Sequence, residues 1–198
     1  MPSGAHCTDP LRRRLAQAVL VLSTLAFSWY AMMAIHEAGH VLNAVLSGGT
    51  VARVVLPVVG FSRTDLFHDP HPLFVVCGGP FWGCILPLAL WGVLLLFRNR
   101  CAFLARFFAG FCTVTNGVYI GAGSFWHVGD AGDLLNLAAP RWALMAFGAV
   151  AVSTGLLLWN GLGPDFGSGA ARGDVNRRAA LLMPVALAVL LVVVALFG

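Results

Sequence analysis

Lysine is absent. All 12 basic residues are arginine, and they are scattered through the polar connections instead of gathered in one place. The formal net charge of +4 therefore forms no basic stripe to track a phosphate backbone, and nucleic acid is not an expected partner. Charge of either sign is scarce. Charged residues make up 10% of the chain against 59% hydrophobic, with a mean hydropathy of +0.86, which is far from the composition of a soluble domain. Long polar segments are lacking as well. The longest connections between apolar runs are 47–71, 124–141 and 161–178, so a single domain over residues 1–198 is expected, with no separate soluble unit. No CxxC occurs among the five cysteines. Cys77, Cys84, Cys101 and Cys112 fall in apolar runs and Cys7 in the N-terminal tail, where they read as small buried hydrophobes. The apolar run after Arg12–Arg14 is too long for a secretory signal and has no small-residue cleavage site, so it is expected to be a retained first span.

What remains is long apolar runs. Crossing a bilayer as a helix takes about 20 apolar residues, and five stretches qualify: Leu15–Ile35, Pro72–Phe97, Cys101–Gly123, Trp142–Asn160 and Ala179–Phe197. The expectation is an all-α polytopic membrane protein with about five transmembrane helices. A short membrane-associated β segment follows the first. A catalytic core over about 15–141 precedes scaffold helices over about 142–198. With the N-terminus on the cytoplasmic side, the inner loops carry Arg12, Arg13, Arg14, Arg98, Arg100, Arg106, Arg172, Arg177 and Arg178, and the outer loops only Arg53, Arg63 and Arg141. The positive-inside rule favours that orientation. In either orientation 47–71 and 124–141 share one side of the membrane. A multi-pass position in the cell membrane of a prokaryote is expected.

Into the first apolar run the chain places "MMAIHEAGHVLNAV", Met32–Val45. Residues four apart share a helix face, so His36 and His40 can aim two imidazoles at one point, with Glu37 beside them. A zinc hydrolase needs two neutral imidazoles, a third protein ligand and an open position, together with a carboxylate that takes a proton from water. Ionisable groups near a membrane segment cost roughly 2.5 to 3.5 kcal/mol each on insertion scales. Zinc binding, worth on the order of 10 kcal/mol, compensates for such a cluster. On the same side of the membrane the third ligand can come from His68, His71, His127, Asp65, Asp69, Asp130 or Asp133. Of these, "HVGDAGDLLNL" favours Asp130. Small Ala131 and Gly132 permit close approach there, and a short helix beginning near Asp130 places its carboxylate at a favourable N-terminus. His127 and Asp133 are the next choices. His68 and His71 read as surface residues.

The order of "HEAGH" at the end of an apolar helix, "TVARVVLPVVGF", "CGGPFWG" entering a second span and a late "GDAGDLL" resembles the site-2 protease family of intramembrane zinc metalloproteases, over about Ala31–Leu135. The resemblance implies that His36 and His40 are zinc ligands, that Glu37 is the catalytic base, and that Asp130 matches the aspartate of the family's Asp-Gly motif, with Ala131 where the family has glycine. It also implies that Asn116, in "TVTNGVYIG", helps to position the substrate carbonyl. One Zn2+ per chain is the implied cofactor, and a membrane-embedded or membrane-adjacent protein or peptide the implied substrate, with the lipid bilayer as surroundings. Two other classes are a non-proteolytic membrane metal-binding protein and a structural adaptor with a degenerate motif.

Other segments carry weaker signals. Val51–Val59 is β-branched and precedes Gly60, reading as a strand with Pro57 suited to a sheet edge. An edge near the site can pair with an unwound substrate. Gly79–Gly83 and Gly117–Gly121 have the spacing that lets membrane helices approach, and Pro80 is a candidate break in the second span. Trp29, Tyr30, Trp126 and Trp142 read as interfacial anchors.

Overall fold

The computed structural model describes residues 9–197; Cys7 lies outside them. Helix α1 covers Pro10–Leu46, followed by strands β1 (Thr50–Val55) and β2 (Arg63–His68) and helices α2 (Pro72–Leu96), α3 (Ala102–Trp126), α4 (Gly129–Asn136), α5 (Arg141–Trp159) and α6 (Arg177–Phe197). Two 3-10 turns, Pro164–Phe166 and Gly169–Ala171, join α5 to α6. Helices α1, α2, α3, α5 and α6 are each long and apolar enough to cross a membrane. The chain is an all-α polytopic protein with a small two-stranded sheet after its first helix.

Helix α1 starts where Asp9 accepts a hydrogen bond from the Leu11 N–H at 3.0 Å, with Pro10 in the first turn. It continues without interruption through the histidine motif, so the motif's spacing becomes spatial proximity. Helix α2 runs straight on through both Pro80 and Pro87. The break expected at Pro80 is therefore absent. The ring is buried among neighbouring helices, and a proline inside a packed membrane helix is tolerated where its surroundings make good the lost hydrogen bond.

Glycines set the helix spacing. A Cβ at Gly39 would strike the Gly78 backbone, and one at Gly78 would strike Gly39, so α1 and α2 cross in backbone contact. Asn43 fastens the same crossing: its Nδ2 donates to the Phe74 carbonyl at 2.7 Å and its Oδ1 accepts from the Trp82 indole N–H at 2.9 Å. Helices α3 and α5 meet at Gly117, Gly121 and Gly148 in the same way. At the end away from the motif, Leu20 packs with Leu162, Phe166, Ala179, Ala180 and Met183, which seats α6 on α1.

The strand expected over Val51–Val59 is shorter, ending at Val55, and Pro57 lies in the turn beyond it. Its antiparallel partner β2 has Arg53 opposite Asp65. The Arg53 guanidinium donates to the Asp65 carboxylate at 2.6 Å. That bond, opposed by desolvation and helped by Arg63, holds the Asp65 carboxyl below its usual range. The turn doubles back along α1. Tyr30 donates its hydroxyl to the Val58 carbonyl at 3.0 Å, and Leu56 packs on the cluster of Ala31, Met32, Met33, Phe108 and Cys112. Tyr30 thus also fastens the hairpin, and Trp29 also lines the cavity described below.

Candidate metal centre

His36, Glu37 and His40 are all buried although Glu37 is the chain's one glutamate. Two neighbours make room for the imidazoles. A Cβ at Gly79 of α2 would overlap both Nε2 atoms, so the helix can pass the histidine pair only with glycine there. Gly83, one turn further along, does the same for Asn116. The glycines of "CGGPFWG" therefore do more than bring helices together, since two of them shape the site.

The third residue comes from α4. Gly129 adopts φ +53°, a left-handed conformation suited to glycine, and sets Asp130 in the first turn of that helix. Asp130 Oδ2 lies 2.9 Å from His36 Nε2 and 3.2 Å from His40 Nε2, and the two Nε2 atoms are 3.1 Å apart.

Proton positions follow from the outer partners of the histidines. His40 Nδ1 faces the Val75 carbonyl at 2.9 Å; a carbonyl only accepts, so Nδ1 carries the hydrogen. Asn116 donates its Nδ2 to the Cys112 carbonyl at 2.9 Å, which turns its Oδ1 toward His36 Nδ1 at 2.7 Å and puts a hydrogen there too. Each neutral imidazole then presents a bare lone pair at Nε2. Two lone pairs and a carboxylate oxygen converging within 3.2 Å repel one another. One added proton satisfies a single pair, whereas a divalent cation satisfies all three. Ligands about 2.0 Å from a tetrahedral zinc sit roughly 3.3 Å apart, close to the spacings found here. His36, His40 and Asp130 form a group that can hold a metal ion.

Other candidates stand apart. His68 and His71 are exposed on the hairpin and at the start of α2, and Asp65 is paired with arginine. Asp69 accepts from the His71 backbone N–H. His127 is exposed, caps α3 in a left-handed conformation and accepts from Arg141 at 3.4 Å. Asp133 is exposed at the cavity rim. Asn116 is at the site and 1% exposed. Its Oδ1 faces His36 Nδ1 and one Nδ2 hydrogen goes to the Cys112 carbonyl, so it is placed to orient a histidine while its second Nδ2 hydrogen remains uncommitted.

Sequence reasoning did not anticipate Thr64 and Tyr119. Thr64 on β2 donates its hydroxyl to Glu37 Oε2 at 2.6 Å, which ties the hairpin to the motif carboxylate. The Tyr119 hydroxyl accepts from the Asp130 N–H at 3.1 Å, and its ring lies edge-on to His36 at 5.7 Å. No sequence periodicity links these residues to the motif. All of these groups border one cavity of about 810 Å3, walled by α1, the hairpin, α2, α3 and the start of α4. Comparison of the chain with protein-family models, with curated proteins and with solved structures gives no match.

Proposed function

We propose that the protein is an intramembrane zinc metalloprotease that hydrolyses peptide bonds of membrane-embedded or membrane-adjacent substrates. The observation that carries this reading is the convergence of two imidazole Nε2 atoms and the Asp130 carboxylate beside Glu37 in one cavity. Three protein ligands leave the fourth tetrahedral position open, which distinguishes catalytic zinc from structural zinc. Zinc bound there would supply Lewis acidity, activating water and polarising a carbonyl. Glu37 takes the proton of the attacking water and returns it to the leaving amine, and Thr64 holds its carboxylate in orientation. Asn116 and the Val75 carbonyl fix the imidazole tautomers. The hairpin walls one side of the cavity and offers backbone for an extended substrate segment to pair with.

The test is zinc content per chain in detergent-purified protein. About one zinc in the wild type, lost in His40→Ala and Asp130→Ala but kept in His127→Ala and Asp133→Ala, is expected. Glu37→Gln should keep its zinc and fail to cleave single-span reporter proteins in liposomes that the wild type cleaves. A wild type without zinc after chelator-free purification would sink the proposal, and a Glu37→Gln variant that still cleaves would favour another chemistry.

A further inference from the structure

A carbonyl under attack by water gathers negative charge on its oxygen, and a hydrogen-bond donor fixed in advance at that place lowers the barrier. The polar groups around the cavity can be examined for an unspent donor. The Thr64 hydroxyl donates its one hydrogen to Glu37, the Asn116 amide gives one of its two hydrogens to Cys112, and the Arg63 Nε is directed at Asp65, so each is at least partly committed. Tyr119 differs. Its oxygen accepts from the Asp130 N–H, which uses a lone pair and leaves its own proton free, and among the described residues its hydroxyl donates to none.

The placement of this phenol is built into the backbone. A Cβ at residue 129 would collide with the Tyr119 hydroxyl, so Gly129 is needed for the tyrosine to reach the start of α4 as well as for its left-handed φ. Tyr119 sits one turn of α3 beyond Asn116, borders the same cavity as Glu37 and Asp130, and touches the His36 ring. The Asp130 N–H bond limits rotation of the hydroxyl. With that lone pair engaged, its own proton remains available to an acceptor in the cavity.

We propose that Tyr119 is a catalytic residue that donates a hydrogen bond from its phenolic hydroxyl to the scissile carbonyl oxygen as that carbon becomes tetrahedral. This rests on the protease reading above. It adds an electrophilic donor from α3 to the base on α1.

The experiment uses the full chain in detergent, loaded with cobalt(II), whose visible absorption reports ligands at the metal. Two probes are titrated: a phosphinic pseudodipeptide with leucine side chains, suited to the apolar lining and tetrahedral like the reacting carbon, and acetohydroxamate, which is planar. Tyr119→Phe keeps the ring and removes only the hydroxyl. The expected result is cobalt affinity and acetohydroxamate affinity within twofold of wild type, with phosphinate affinity reduced at least tenfold. Phosphinate affinity within twofold of wild type would overturn the proposal. So would loss of cobalt from Tyr119→Phe, which would confine the hydroxyl to supporting Asp130, or a wild type that holds cobalt without binding the phosphinate. A wild type that takes up no cobalt is a separate failure, that of the protease reading itself.

Discussion

The substitution Gly79→Ala isolates the close packing of α2 on the histidine pair. A Cβ at this position would lie 2.6 Å from His36 Nε2 and 2.6 Å from His40 Cε1, where ordinary contact begins at 3.4 Å. The His36 ring must therefore retreat by about 0.8 Å, the difference between those two distances, and the His40 ring by more, because its Nε2 is closer still. Metal sites tolerate departures of about 0.2 Å in ligand distance, so a shift several times larger removes at least one good ligand. The expected loss of zinc affinity is about a hundredfold, roughly 2.7 kcal/mol, on top of an overpacking cost to the metal-free fold of about 1–3 kcal/mol. Competition against a chromophoric zinc chelator measures the first quantity, and thermal unfolding in detergent with and without EDTA separates the second. Gly92→Ala, on the same helix with nothing within 4 Å of the added carbon, serves as the control and should change neither. Zinc affinity in Gly79→Ala equal to that of Gly92→Ala would refute the argument that glycine is required by the imidazoles.

Thr64→Val removes the hydroxyl that donates to Glu37 at nearly constant volume. Zinc content should be unchanged while cleavage of a reporter substrate falls about tenfold, the scale set by one hydrogen bond to a charged group at about 1.5 kcal/mol, and Thr64→Ser should recover most of it. Asn43→Ala strands the Trp82 indole N–H and the Phe74 carbonyl at the α1–α2 crossing. Each stranded group costs about 1–3 kcal/mol, so a clear fall in the unfolding midpoint in detergent is expected, whereas an unchanged midpoint would show that Asn43 does not hold that crossing.

Much of this arrangement is legible in the sequence because it depends on local periodicity. His36 and His40 fall on one helix face at any depth in a bundle, and the apolar runs are long enough to be spans under any packing. Asp130 is readable from its small neighbours and its place at the head of a short helix, together with family resemblance. The rest depends on which elements touch. β2, "RTDLFH", has neither alternation nor β-branched density, and it is a strand because Arg53 and Val54 pair with it. The bond from Thr64 to Glu37 spans 27 residues and the one from the Asp130 N–H to the Tyr119 hydroxyl crosses a turn, so neither leaves a spacing to detect. Asn116 shows the opposite case: sequence placed it at the site, but the carbonyl of Cys112, one turn earlier on its own helix, decides which way its amide faces.

Helix lengths have a further consequence. At about 1.5 Å per residue, the 37 residues of α1 extend about 55 Å, whereas the 19 residues of α5 extend about 28 Å. A hydrocarbon slab of about 30 Å matches α5 and is overrun by α1, so part of the long helix must stand outside the slab or cross it at a tilt. The histidines lie in the last third of the long helix, and Asp130 sits in the short connection between α3 and α5. The height of the lipid–water boundary relative to the three ligands is therefore set by acyl-chain length as well as by the protein. Thin bilayers place water nearer the site, and thick ones bury it.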